Sequence, residues 1–302
     1  MLAIIIPYYK LTFFERTLIA LSIQTDKRFN VYIGDDNAPK SPKDLIEKYS
    51  GKLNLYYKKF HNNLGSIALT KHWERCIGLS KDEEWLMILG DDDVIDTTLI
   101  ASFYENLNDI KMNKSNVVRF ASVIIDDKDK KISEKFEHPK LEQATDAYMR
   151  KFNEVSRSSL SEHIFSRTVF NKYGFSNYSL AWYSDDKAWL DFSGIKPIYA
   201  INCAIVYVRR SLENISGRKD NLSEKLQAKK EFLEDVTIYN NYAFNKSQKE
   251  LLLFEYGLVI KQLNIIAFNR VILVFWKFIA VGALYNGLRF IRRMYRAKLL
   301  GK

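Results

Sequence analysis

The chain has 302 residues, 47% of them hydrophobic and 14% aromatic, and a formal net charge of +10. That much apolar material supports one large core or two modest ones and excludes a mainly disordered chain. The only cysteines, Cys76 and Cys203, lie far apart in apolar contexts. They exclude a disulfide framework and a zinc-finger spacing, and they fit a reducing cytoplasm.

The N-terminus reads MLAIIIPYYK. It has no basic leader and its apolar run is short for a signal peptide, so residues 2–7 are expected as a buried strand. Thr12 and Glu15 have capping-box spacing ahead of the helix FFERTLIALSIQ. NVYIGDD is a second strand ending in acids. Ser41, Pro42 and Asp44 mark a helix start with Pro at its first position. LNLYYKK is a third strand, GSIALTKHWERCIGL has helical spacing, and EWLMIL is a fourth strand. That strand runs into Asp91, Asp92 and Asp93. A helix over about 97–110 and the strand NVVRFASVII follow.

This alternation over about 125 residues predicts an α/β fold, with a mostly parallel sheet flanked by helices on both faces. Ligands in such sheets bind beyond the carboxyl ends of the strands. Asp35 and Asp36 sit at one such end and Asp91–Asp93 at another. From about residue 126 the alternation stops. Short elements follow to about Val208, and from Ser223 the chain reads as helical to its end.

Three adjacent carboxylates repel one another unless they are solvated or hold a cation. A solvated turn is the bland reading. Their place at a strand end beside a second acidic strand end favours a hard divalent cation, Mg2+ or Mn2+, which takes oxygen ligands and carries phosphates. PYYKLTFF after the first strand has no glycine, which argues against a dinucleotide-binding dehydrogenase. There is no G-x-x-x-x-G-K-[ST], which excludes a P-loop. An aspartyl phosphatase would place its paired acids after the first strand. A nucleotide whose diphosphate is held by metal remains.

IIIPYYK, VYIGDDNA, NNLGSIALTKHWERCI and WLMILGDDDVID, in that order, resemble the successive motifs of family 2 glycosyltransferases of the GT-A fold. The resemblance covers residues 1–125 and extends more weakly to 216. It implies a catalytic domain over 1–216, with a nucleotide-sugar half at 1–125 and an acceptor half at 126–216. A helical region at 217–302 follows. Carried over, Pro7 and Tyr9 border the nucleotide, and Asp36, beside Asp35, meets the uracil ring of a UDP-sugar. GDDD corresponds to the metal-binding DxD, with Asp91 and Asp93 at the metal and Asp92 as the alternate. Gly90 stands where the commoner DxDD form has its first acid, and Lys10 where Asn is usual.

Transfer to a hydroxyl needs a base. AWYSDDKAWLDF resembles the family's ED-x-x-x-W segment, which offers Asp185 and Asp186. Spacing to Trp189 favours Asp185 as the base, and an adjacent carboxylate raises its pKa. The competing role for Asp185 is a helix cap. His163 is a candidate for acceptor or diphosphate contact, or a structural histidine. Trp182 and Tyr183 are candidates for sugar stacking or for the core, and His72 and Trp73 are expected to pack. VRRSLENISG, residues 208–217, resembles a loop over the donor site, which would bring Arg209 or Arg210 to phosphate. The resemblance implies inversion at the anomeric carbon.

No acid follows Glu255, whereas Lys261, Arg270, Lys277, Arg289, Arg292, Arg293, Arg296, Lys298 and Lys302 do, so nearly all the excess charge is C-terminal. Residues 271–288 approach the length of a spanning helix, but Lys277 interrupts them. An interfacial helix is expected, with Phe275, Trp276 and Phe278 in lipid and the Arg cluster at an anionic membrane surface. The alternative is a helix packed on the domain. The expected enzyme works at the cytoplasmic membrane face on a glycan or lipid-linked acceptor in surface polysaccharide synthesis. Competing readings are a nucleotidyltransferase acting on sugar phosphates, which would want a glycine-rich basic loop after the first strand, and a non-enzymatic basic protein binding membrane or nucleic acid. Apolar residues dominate the basic tail, so lipid is the better partner and nucleic acid is not expected.

Overall fold

A computed structural model describes residues 1–211 and 220–300. They form two compact units. The first comprises residues 1–177 and 185–211, the second residues 178–184 and 220–300. The expected boundary at 216/217 and most of the expected donor-site loop lie outside the described residues.

The first unit opens with β1 (Leu2–Tyr8), α1 (Phe14–Ser22), β2 (Phe29–Asp35), α2 (Lys43–Ser50), β3 (Leu55–Lys59), α3 (Gly65–Ile77) and β4 (Trp85–Ile88). It continues with β5 (Val94–Ile95), α4 (Leu99–Glu105), α5 (Leu107–Met112), β6 (Val117–Ile125), β7 (Leu141–Glu142) and α6 (Ala144–Phe152). It closes with β8 (His163–Ser166), α7 (Arg167–Tyr173), α8 (Ser184–Ser193) and β9 (Ile198–Arg209). The strands make one nine-stranded sheet in the order β3-β2-β1-β4-β8-β6-β9-β5, with β7 on β9.

β1, β2, β3 and β4 are parallel, as the βα alternation requires, and β6 is parallel to β9. β8 enters between β4 and β6 antiparallel to both, and β5 and β7 are antiparallel to β9. The sheet is therefore mixed, with β1, β2, β3, β4, β6 and β9 running one way and only β5, β7 and β8 against them. Leu2, Ile4 and Ile6 of β1, and Ala3 and Ile5 on its other face, are all buried. That is the pattern of a central strand covered by helices on both sides.

Local chemistry differs from expectation in three places. α1 has no side-chain cap, because its N-cap is Phe13 rather than Thr12, and Glu15 pairs with Lys48 Nζ at 2.6 Å. Pro42 occupies the N-cap of α2 rather than its first helical position. The helix expected over 97–110 divides at Asn106, whose side-chain amide donates to Ser102 O at 2.9 Å.

Glu83, just before β4, is buried and ties three elements together. Asn30 Nδ2 (2.8 Å), Tyr32 Oη (2.6 Å) and Arg167 all donate to it.

The second unit contains α9 (Leu222–Glu234), a π-helical turn (Asp235–Tyr239), α10 (Lys246–Gln262), α11 (Phe268–Ala280) and α12 (Leu284–Leu300). Asn245 and Gln248 form a capping box at the start of α10. The apolar run of 271–288 is thus two helices with a turn between them. No helix among the described residues is long and apolar enough to cross a membrane. Trp276 is exposed, whereas Phe278, expected in lipid, is fully buried and packs on Phe254 and Phe290.

Removing a buried charge's partner strands the groups left behind. Glu83→Ala should therefore lose about 3 kcal/mol of stability, read as a lower urea midpoint with an unchanged slope.

Candidate active site

β1, β2 and β4 run in the same direction, so their carboxyl ends share one edge of the sheet. The acids cluster there. Asp91 Oδ2 accepts from the backbone N–H groups of Tyr9 (2.7 Å) and Lys10 (2.8 Å), which ties the turn after β4 to the turn after β1. Burial, then the neighbouring Asp92, pushes the Asp91 pKa up to about 7.

Asp93 is more enclosed. Its Oδ1 accepts from Arg209 N (2.8 Å) and its Oδ2 from Ser161 Oγ (2.5 Å). Burial raises its pKa, while Ser161, Arg209 and Arg157 oppose the rise. The backbone around it is held as well, since Thr17 Oγ1 donates to Asp93 O at 2.8 Å. A Cβ at Gly90 would stand 2.9 Å from Asp93 Oδ2 and 3.0 Å from Asp92 Oδ1. Glycine there lets the carboxylates fold back over the strand end, which accounts for the departure from an acid at that position.

Arg209 is expected at a donor phosphate. Its side chain is instead 0% exposed, with Nε on Asp92 O (2.9 Å), one terminal nitrogen on Asp126 O (2.6 Å) and the other on Asp129 (2.5 Å). The guanidinium lies over the Phe13 ring and clamps the acidic turn from beneath. A buried group spent in this way is not available to phosphate. Arg210 is exposed.

At the end of β2, Asp35 accepts from Ala38 N and from Tyr57 Oη, both at 2.7 Å. Asp36 accepts from Leu64 N and Gly65 N, both at 2.8 Å, and pairs with Arg75. Burial raises the Asp36 pKa and these partners work against the rise. His72 and Trp73 are buried, as expected of packing residues. Burial, reinforced by Arg75, lowers the His72 pKa to about 3 and keeps the ring neutral beside Asp36. Pro7 is half-buried and Tyr9 is exposed at the same edge.

Asp185 and Asp186 lie in the first turn of α8, where the helix dipole favours negative charge. Lys151 Nζ is 2.5 Å from Asp186, an ion pair that fixes the second carboxylate. Asp185 is half-buried. Burial, then the Asp186 charge, raises its pKa to about 6. Leu180, Ala181 and Tyr183, just upstream, have φ of 57°, 54° and 68°. Left-handed backbone at such residues costs about 1–3 kcal/mol each and gathers at functional sites. Tyr183 stacks on Phe232, and Trp182 lies under Lys225, within the second unit.

His163 is structural. It is buried, stacks on Trp189 with ring centroids 4.1 Å apart, and shares a 2.8 Å hydrogen bond with Ser159 O. Burial lowers the Arg157 pKa to about 10, and the charges of Asp93 and Asp185 oppose the fall. Arg157 also donates to Ser122 Oγ (3.0 Å) and pairs with Glu162. Arg75, Lys151, Arg157 and Ser161 are the partners that reading the sequence missed. Only Arg75, on the helix face it shares with His72, has a local signal.

Among the described residues no cluster of three His, Cys, Asp or Glu side chains forms a complete metal cage. The donor set nevertheless suits a hard cation shared with phosphates, which needs only one or two carboxylates from the protein. Hydrogen bonds occupy one lone pair on each Asp93 oxygen and leave others, and Asp91 Oδ1 stands beside the bonded Oδ2. Ser161 and Arg209 N then act as the outer partners that orient a ligand.

No protein-family model and no curated protein sequence matches the chain. Solved structures do. The chain resembles S. aureus TarS 1–349 in complex with UDP-GlcNAc, with a TM-score of 0.66 and 14% identity over 100% of this chain and 92% of that one. It resembles the mannosyltransferase PcManGT from Pyrobaculum calidifontis in complex with GDP-Man and Mn2+, with a TM-score of 0.57 and 10% identity over 99% and 77%. It also resembles GalNAc-T7 with UDP, GalNAc and Mn2+, with a TM-score of 0.55 and 10% identity over 86% of this chain and 56% of that one. At these identities the likeness is one of fold, and the fold is the GT-A plan of glycosyltransferases.

A carboxyl whose pKa is raised on folding destabilises the folded state once pH exceeds its unfolded value, about 3.9. The penalty grows until pH passes the folded value of about 6. Asp185→Asn should therefore be more stable than wild type by about 1 kcal/mol or more at pH 8 and show little gain at pH 4. Urea titrations at the two pH values measure this.

Proposed function

We propose that this chain is a glycosyltransferase that moves a sugar from a nucleotide-sugar, a UDP-sugar in our reading, to a hydroxyl of a glycan or lipid-linked acceptor. The observation that carries the reading is the gathering of Asp35, Asp36 and the Asp91–Asp93 turn at one carboxyl edge of the sheet, where Asp91 is bonded to the backbone of the turn after β1. The shared fold with proteins solved with UDP-GlcNAc and GDP-Man supports it.

In this reading Asp91 and Asp93, with Asp92 beside them, would hold Mg2+ or Mn2+. A bound ion supplies charge neutralisation for the departing diphosphate. The nucleotide lies against the turns held by Asp35 and Asp36, bordered by Pro7 and Tyr9. Asp185 accepts the proton of the acceptor hydroxyl as that oxygen attacks the anomeric carbon. Asp186 pairs with Lys151, and burial together with the Asp186 charge raises the Asp185 pKa to about 6, which suits it to take the proton. A single displacement inverts the anomeric centre. Arg209 is a positioning residue that acts through the acidic turn.

The cation-rich C-terminus supports work at the inner face of the cell membrane, on an acceptor of a surface polysaccharide.

Calorimetry should show UDP binding that strengthens with Mn2+ and loses that metal dependence in Asp93→Ala. Failure to bind UDP by a folded protein that binds GDP instead would change the base. Failure with every nucleotide would sink the reading. The transfer rate should fall below pH 6 as Asp185 protonates. Asp185→Asn should lower kcat by 10²–10⁴, roughly, with donor affinity kept.

A further inference from the structure

α12 divides into three sectors when residues advance by 100° each. Gly287, Phe290 and Met294 face inward and are buried. Leu284, Leu288, Tyr295 and Leu299 make a second sector and are 57%, 53%, 65% and 66% exposed. Arg289, Arg292, Arg293 and Arg296 fall at i, i+3, i+4 and i+7 and make a third, directly beside the apolar one.

That cationic sector lines an open groove of about 420 Å³ together with Phe254 and Lys261 of α10. This lies within the size range of small-ligand sites, about 300–1,000 Å³. No carboxylate lines the groove. The two helices come close because residue 257 is glycine, where a Cβ would stand 2.4 Å from the Phe290 ring. Gly257 is one turn from Lys261, so the close approach brings Lys261 alongside the arginines. Arg289 donates to Asn286 Oδ1 at 3.3 Å. Among the described residues Lys261, Arg292, Arg293 and Arg296 make no ion pair, whereas Lys229, Lys230 and Arg270 of the same unit do.

We propose that this groove binds the headgroup of a membrane lipid that carries a phosphomonoester or diphosphate, with the exposed apolar sector of α12 in the acyl layer. The inference rests on the membrane-surface part of the reading above and sharpens it from a general attraction to a defined site. Guanidinium groups bond phosphate oxygens in pairs, and several converging on one concavity match a headgroup with about two charges better than a singly charged phosphodiester. A diffuse basic tail would follow surface potential alone. The adjoining Leu284, Leu288, Tyr295 and Leu299 distinguish a lipid from a soluble phosphate, because they add apolar contact where the acyl chains begin.

The test is sedimentation of the full chain with phosphatidylcholine vesicles containing either phosphatidic acid or phosphatidylglycerol, matched in surface potential. Phosphatidic acid should be preferred by about tenfold, equivalent to about 1.4 kcal/mol. Arg292→Ala/Arg296→Ala should abolish the preference. Lys277→Ala/Lys298→Ala, which removes equal charge outside the groove, should keep it. Equal binding at matched potential would overturn the proposal, and so would a preference that survives the arginine double variant. Groove-dependent binding of inorganic pyrophosphate without vesicle binding would assign the groove to a soluble phosphate and also overturn it. UDP calorimetry on the same samples separates the two readings. UDP binding without lipid preference sinks the groove alone, whereas lipid preference without nucleotide binding supports the groove and sinks the transferase.

Discussion

The crowding of three consecutive carboxylates at the end of β4, Asp93 buried and Asp91 and Asp92 half-buried, is the constraint around which this edge of the sheet is built. Two like charges about 4 Å apart cost about 4 kcal/mol at an effective dielectric of 20. The fold answers with donors from distant parts of the chain. Tyr9 and Lys10 give backbone N–H groups, Ser161 gives a hydroxyl, and Arg209 gives both its backbone N–H and its guanidinium. These groups belong to the turn after β1, the segment before β8 and the end of β9. The acidic turn thus fixes where three separate elements finish. The compensation stays incomplete, because burial still raises the Asp91 and Asp93 pKa values. In the proposed function a cation and its phosphates would supply the balancing charge.

The second acidic pair solves a different problem. A base needs a pKa near the working pH, and two adjacent acids in identical surroundings would give no preference between them. Lys151 breaks the symmetry. It pairs with Asp186 and leaves Asp185 facing burial and a fixed neighbouring charge. Environments that push two carboxylates apart commonly separate their roles. The strained backbone at Leu180, Ala181 and Tyr183 sets the entry into this helix, so the local cost falls where the chemistry needs orientation.

Much of this was legible in the sequence, and the exceptions have physical reasons. β1, β2 and β4 are continuous apolar runs because both of their faces are buried, so their ends and the acids beyond them stand out. β8 does not, since nothing local tells His163–Ser166 to enter the sheet between β4 and β6. The capping signal at Thr12 and Glu15 misled because Phe13, not Thr12, is the N-cap and a long-range partner, Lys48, took the glutamate. Arg209 was visible as a cation near an expected loop. Its burial under Phe13 was not, because it depends on a sheet order that brings β9 beside β5 and β6. Lys151, Arg157 and Ser161 escaped for the same reason. Lys151 and Ser161 meet their acids across 35 or more residues of chain.

The cations of α12 invert the logic of the acidic turn. There, unlike charge is brought in from within the fold. Here it is not. Glu234 is committed to Lys230 and Arg270, Glu255 to Lys229, and Glu250 to Asn286. No acid follows Glu255 in sequence. Arg289–Arg293 and Arg292–Arg296 are like-charge pairs at i, i+4 spacing, which destabilise a helix by a few tenths of a kcal/mol each, roughly. The helix carries that repulsion with its opposite face locked by Phe290 and Met294. A charge pattern that costs stability and stays uncompensated within its own unit is explained by a ligand that brings the missing negative charge.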